Sequence, residues 1–203
     1  MSKPRIAVVG IGRLGSFHTN LVIAGGLFDL VAIVEPVEAA RHVATEEFSV
    51  RGAADISAIV DEIDCAIIAT PTIYHFDVAQ KLLKAGKHLL IEKPISLELA
   101  QANDLIALAE ANELILQVGH VERFNPAFTA VATHVSTPLF IDAVRTSNYS
   151  FRSTDIGVTL DLMIHDIDLV LSLIDSPIVA IDAVGSVVLG PHEDIAHARL
   201  TFE

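Results

Sequence analysis

The run "RIAVVGIGRLGSFHTNLVIAG", residues 5 to 25, changes period within a few positions. A short continuous apolar stretch gives way to Gly10, Gly12 and Gly15, and then to an amphipathic pattern of helical spacing. A chain with this order must pass from strand through a tight turn into a helix. The spacing G-x-G-x-x-G carries meaning only in that context, and here it has it. The first glycine permits the sharp turn, the second lets the backbone approach a pyrophosphate, and the third lets helix pack close to strand. The helix N-terminus adds partial positive charge and free N–H groups, so the turn predicts a dinucleotide cradle.

The rest of residues 1 to 120 repeats the alternation. "FDLVAIVE", "CAIIAT", "KHLLIE" and "LILQVG" are brief apolar runs of the kind that parallel strands show when both faces are covered. Between them lie helical stretches such as "YHFDVAQKLLKAG", closed by Gly86, and "LELAQANDLIALAEAN", for which Ser96 is the expected cap. The pattern predicts an α/β fold with a doubly wound parallel sheet, a Rossmann dinucleotide-binding domain over 1–120. From residue 121 to 203 the rhythm becomes "PLFIDAVRTSNY", a long apolar segment around 158 to 174, then "IVAIDAVGSVVL" and "IAHARLTFE". Longer strands with one helix predict an α+β substrate and dimerisation domain. Its last strand has neither a turn nor a partner after it, which is the expectation for a truncated domain.

Composition narrows the function classes. Hydrophobic residues make up 52% and charged residues 19%, opposite to the signature of chains that stay disordered. The net charge of -13 comes without a cationic stripe, which argues against nucleic acid and anionic membrane surfaces as partners. No apolar stretch reaches the roughly 18 residues of a membrane span, and Gly10, Gly12 and Arg13 interrupt the N-terminal run too early for a signal peptide. A cytoplasmic protein is expected. Cys65, the single cysteine, sits in an apolar run and reads as a small buried hydrophobe.

Three further places carry chemistry. Glu35 ends the second strand, 20 residues beyond Gly15, where an acid can bind the ribose hydroxyls of NAD and would repel the extra phosphate of NADP, although Arg41 lies nearby. Lys93, in "LLIEKPIS", follows a strand and so projects beyond the carboxyl end of the sheet, with Pro94 stiffening its turn. "TLDLMIHDIDLVL" places Asp161, His165 and Asp168 within about 60° on an α-helix that is otherwise aliphatic, with Asp166 off that seam. Such a seam in a buried helix fits an internal hydrogen-bond network, a metal site, or acid–base catalysis with His165 as base. The glycine turn favours the last, because a nicotinamide cofactor needs a proton acceptor and not a metal.

With these residues in place, the chain resembles the Gfo/Idh/MocA family of NAD(P)-dependent sugar and polyol oxidoreductases. "VVGIGRLGSFH", "ATPTIYH", "IEKPIS", "VGHVERFNP" and "LDLMIHDID" occur in the family's order across nearly the whole chain. The resemblance implies a catalytic set of Lys93, Asp161 and His165. It implies a cofactor site drawn from Gly10, Gly12, Arg13, Leu14, Gly15, Glu35, Ala69, Thr70, Pro71, His75, Glu92, Lys93 and Arg123, and no metal. Met163 stands where many members have Gly in D-x-G-x-H, and Thr72 replaces a frequent Asn. "GHVERFNP" with "DLMIHDIDLVL" is most similar to members acting on nucleotide sugars, the UDP-N-acetylglucosamine 3-dehydrogenases. The expected activity is therefore hydride transfer to NAD from a sugar hydroxyl, C3 of a UDP-amino sugar, by a protein that is a homo-oligomer when full length. Alternatives are a dehydrogenase of a free sugar or inositol, and a non-catalytic NAD-binding or sugar-sensing module.

Overall fold

The computed structural model describes residues 2–148 and 155–203. By its internal contacts the chain divides into two units, Met1–Gly119 and His120–Glu203. The first is built in the order β1 (Arg5–Val9), α1 (Arg13–Gly25), β2 (Asp29–Val34), α2 (Glu38–Phe48), β3 (Arg51–Ala53), β4 (Cys65–Ile68), α3 (His75–Lys84), β5 (His88–Ile91), α4 (Leu99–Ala111) and β6 (Leu116–Val118). Its strands form one parallel sheet in the order β3-β2-β1-β4-β5-β6. That is the doubly wound Rossmann arrangement, whose order reverses between β1 and β4.

Continuous apolar strands follow from the two covered faces. Ile6 and Val8 of β1 pack with Val22 of α1 and Ala44 of α2, whereas Ala7 and Val9 pack on the other face with Leu82 and Leu83 of α3 and Leu105 of α4. Leu82, Leu83 and Leu105 are fully buried, each contributing roughly 1.5–3 kcal/mol of transfer free energy. Cys65 packs among the partly buried residues of the first face, and burial pushes its thiol pKa up, away from reactivity. Gly86 takes φ +73° just past α3, and the N–H groups of Gly86 and Lys87 bond back to Leu83 and Leu82. This is the stop expected of it. Ser96 is not the cap of α4: that place falls to Glu98, whose carbonyl instead accepts from the Ser96 hydroxyl. The hydroxyl is too far upstream to reach the first-turn N–H groups.

Strand β1 is tied to β4 at its start by Arg5 and Asp64. The Asp64 carboxylate accepts from Arg5 N at 2.8 Å, Nε at 3.2 Å and Nη2 at 2.7 Å. These bonds hold the Asp64 pKa down at about 2 from its ordinary 3.8. A carboxyl depressed on folding stabilises the fold above its unfolded value and loses that contribution as pH falls from about 3.8 toward 2. Urea unfolding of Asp64→Asn should therefore show a shallower fall of the midpoint across that window than the natural chain. An identical slope would mean that the contact contributes nothing.

The second unit contains α5 (Pro126–Ala132), α6 (Ile164–Leu173), and β7 (Ile178–Ser186) paired antiparallel with β8 (Ile195–Phe202). Asn125 caps α5 by accepting from Ala127 N, with Pro126 at the first helical position. The strand expected over "PLFIDAVRTSNY" does not form: residues 138–148 have no regular structure, and residue 149 lies outside the described residues. A strand needs a ladder partner for its N–H and C=O groups, and among the described residues none pairs with this stretch. Among the described residues no helix is long and apolar enough to cross a membrane.

Candidate functional site

Gly10 follows β1 with φ +84° and donates its N–H to Val34 O of β2 at 2.8 Å. A Cβ there would lie 2.8 Å from both Ala69 O and Thr70 N, so the turn after β1 rests directly on the turn after β4. A Cβ on Gly15 would run into the carbonyl of Gly10, which is why α1 can sit so close to β1. Gly12 is different: nothing lies within 4 Å of where its Cβ would be. Its freedom from a side chain keeps open the space in front of the α1 N-terminus, where the first-turn N–H groups have no carbonyl of their own. Arg13 and Leu14 are exposed on that first turn, with the Arg13 guanidinium 5.8 Å from the Phe17 ring centre. An open cradle of this kind fits a dinucleotide pyrophosphate.

Glu35, at the end of β2, turns its carboxylate toward this cradle. Oε2 accepts from Ile11 N at 3.2 Å and Oε1 from Val37 N at 3.0 Å. Arg41 is committed to backbone: its Nη1 donates to Glu35 O at 2.6 Å and to Pro36 O at 3.1 Å. Across the switch point, Ala69 N bonds Val9 O, Pro71 is exposed, and the hydroxyl of Thr70 is buried without a hydrogen-bond partner.

The turn that carries Lys93 is held by two buried side chains. Glu92 is buried, with Oε1 2.7 Å from His18 Nε2 of α1 and Oε2 accepting from Lys93 N at 3.3 Å. Gly119 sits against the same carboxylate, which a Cβ would approach to 3.1 Å. His75 is also buried, and both of its ring nitrogens face carbonyl oxygens, those of Pro94 and Thr70. Glu92 and His75 thus engage the turns around Lys93. Lys93 itself is half-buried.

In the second unit the polar helix starts with a π turn, Thr159–Met163, before α6 begins. Ile164 N bonds Thr159 O across five residues, so the straight α-helical wedge expected for Asp161, His165 and Asp168 does not hold through Met163. The segment is half-buried where near-complete burial was expected, and within it only Asp168 is buried. Asp168 accepts from Arg123 Nε and Nη2, each at 2.7 Å, a bidentate pair that raises the Arg123 pKa. Arg123, expected at the cofactor, is thus committed to α6. Asp166 accepts from Arg145 Nε at 3.0 Å and Nη2 at 2.9 Å. Asp161 and His165 are both half-buried, on the π turn and the first turn of α6. Among the described residues no three His, Cys, Asp or Glu side chains converge as metal ligands, and the Arg123 pair removes Asp168 from such a trio.

The start of that helix is fixed from the β7–β8 hairpin. Glu193 O accepts from Val158 N at 2.7 Å and Glu193 Oε1 from Thr159 N at 3.3 Å, while Gly157 leaves room for the Glu193 carboxylate that a Cβ would strike. Burial pushes the Glu193 carboxyl pKa up, but the Thr159 bonds and nearby donors outweigh it and hold it down. Sequence reasoning missed this contact, the Arg145–Asp166 pair and the His18–Glu92 pair. Each joins residues at least 21 apart, and no spacing rule reaches that far.

Residues 4–120 match the model of the Gfo/Idh/MocA oxidoreductase family, described as having an NAD-binding Rossmann fold. The whole chain aligns at 38% identity over 207 residues with UDP-N-acetylglucosamine 3-dehydrogenase of Acidithiobacillus ferrooxidans, spanning 64% of that protein. A solved structure of the same-named enzyme from that organism superimposes with a TM-score of 0.91 at 34% identity, covering 100% of this chain and 67% of the other. Scyllo-inositol 2-dehydrogenase (NAD(+)) of Bacillus subtilis is 29% identical over 200 residues, with 92% of this chain and 58% of that protein aligned.

Proposed function

Since this chain belongs to the Gfo/Idh/MocA oxidoreductase family, we propose that the protein is an NAD-dependent oxidoreductase acting on a secondary hydroxyl of a sugar, C3 of a UDP-amino sugar such as UDP-N-acetylglucosamine. The observation that carries this reading is 38% identity running through both units to an enzyme of that name, on a chain whose glycine cradle is intact. NAD, when bound, accepts the hydride that leaves the carbinol carbon. The protein's part is to bind, orient and move a proton. His165 takes the hydroxyl proton as general base, Lys93 holds the reacting oxygen, and Asp161 orients the imidazole. Gly12 and the first turn of α1, with Arg13 and Leu14, hold the pyrophosphate, and Ala69, Thr70 and Pro71 border the cofactor from the turn after β4. Glu35 accepts from the adenosine ribose hydroxyls. Its carboxylate supports NAD over NADP, because it would repel a 2′-phosphate.

The test is to titrate the full-length protein with NADH and NADPH by nicotinamide fluorescence, then follow NADH formation with UDP-N-acetylglucosamine and with scyllo-inositol. NADH should bind tighter than NADPH, and Glu35→Ala should erase most of that preference. A folded protein that binds neither dinucleotide would overturn the reading. Turnover of scyllo-inositol but not of the UDP-sugar would move the substrate to the class named for the Bacillus subtilis relative.

A further inference from the structure

A single side chain of α3 joins the turns that follow β4 and β5. His75 is 1% exposed, with Nδ1 2.8 Å from Pro94 O and Nε2 2.9 Å from Thr70 O. A carbonyl oxygen can only accept, so whichever contact is made at a given moment is made by a ring N–H. The last sheet bonds before these turns are Ala69 N to Val9 O and Glu92 N to Ile68 O. Beyond them, the imidazole spans from one turn to the other.

We propose that His75 is a positioning residue for Lys93: held between Pro94 O and Thr70 O and donating its ring N–H to one of them at a time, it fixes the direction in which the Lys93 side chain leaves its turn. The proposal rests on the reading of Lys93 as the residue that holds the reacting oxygen. The geometry favours a histidine here for a specific reason. Its two nitrogens lie on opposite edges of a rigid ring, so one side chain can face carbonyls on both sides. An Asn or Gln carries its donors on one nitrogen at the end of a rotatable chain, without the rigid span of the ring between two turns. A buried carbonyl that loses its donor pulls toward other partners, and the turn moves with it. Since Lys93 precedes Pro94 directly, any such movement is passed to its side chain. Glu92, bonded to Lys93 N and to His18, holds the turn from the side of α1 but leaves Pro94 O to His75.

The experiment uses the full-length protein with His75→Asn and, should that variant fold poorly, His75→Gln. Hydrogen exchange followed by mass spectrometry should show lost protection in peptides covering residues 70–72 and 92–96. Turnover should fall about ten- to a hundredfold in kcat, as expected when a reacting group is misplaced by an ångström or less, with KM moving little. A double-mutant cycle then separates positioning from mere stability. In a Lys93→Met background, His75→Asn should lower the residual kcat no further, because its effect passes through the missing amine. Losses that multiply, or unchanged protection around residue 93, would overturn the proposal. If the natural protein turns over no sugar at all, the functional reading fails, and the exchange measurement alone still decides whether His75 fixes the Lys93 turn.

Discussion

Turnover of UDP-N-acetylglucosamine by the full-length protein should fall by about a thousandfold when His165 is replaced by alanine, within the range that general acid–base groups contribute. NADH binding should survive, because the cradle of Gly10, Gly12 and Gly15 is built entirely within the first unit. The loss should appear in kcat more than in KM, since a proton acceptor acts as the hydride leaves and adds little to ground-state binding. The π turn and the first turn of α6 are anchored independently of His165, by Glu193 on one side and by the Arg123–Asp168 pair on the other. The variant should therefore unfold near the natural midpoint. Steady-state kinetics beside a fluorescence titration checks both halves; a kcat close to the natural value would remove His165 from the catalytic role.

The second large effect separates two glycines of one turn. Gly15→Ala places a methyl against the Gly10 carbonyl, and backbone cannot step aside as a flexible side chain can. Helix α1 must lift from β1, at a cost of about 1–3 kcal/mol typical of overpacking, and NADH affinity should fall by at least about tenfold. Gly12→Ala meets nothing within 4 Å, and φ -65° at that position suits any residue. Stability should hold while NADH affinity falls, because the methyl would occupy the space proposed for the pyrophosphate. Urea unfolding and NADH titration of the two variants make the comparison. Equal loss of stability in both would mean that Gly12 serves packing, and undiminished NADH affinity in Gly12→Ala would move the dinucleotide elsewhere.

Much of the first unit was legible residue by residue. The switch from continuous apolar runs to amphipathic periods marks β1, β2, β4, β5 and β6 and helices α1, α3 and α4, and Gly86 marks the end of α3. All of these are local effects: a strand buried on both faces must be apolar throughout, and a residue past a helix end must tolerate positive φ. The second unit was harder to read. "PLFIDAVRTSNY" has the composition of a strand, but composition does not supply the neighbour that a strand needs. The cap of α4 was misplaced because Ser96 is only one of several residues near the helix start, and reach decides among them.

What the sequence by itself determined is the cradle: three glycines after a strand and an acid at the end of the next strand. These follow from period, spacing and the sterics of single residues, which act over a few positions. Only the tertiary structure decided the use of the ionisable groups. Asp168 and Asp166 proved to be partners of Arg123 and Arg145, and Glu92 of His18, across 45, 21 and 74 residues of chain. A buried or half-buried charge must find an opposite charge or a donor, yet that requirement names no position, and the fold alone brings the partner within reach.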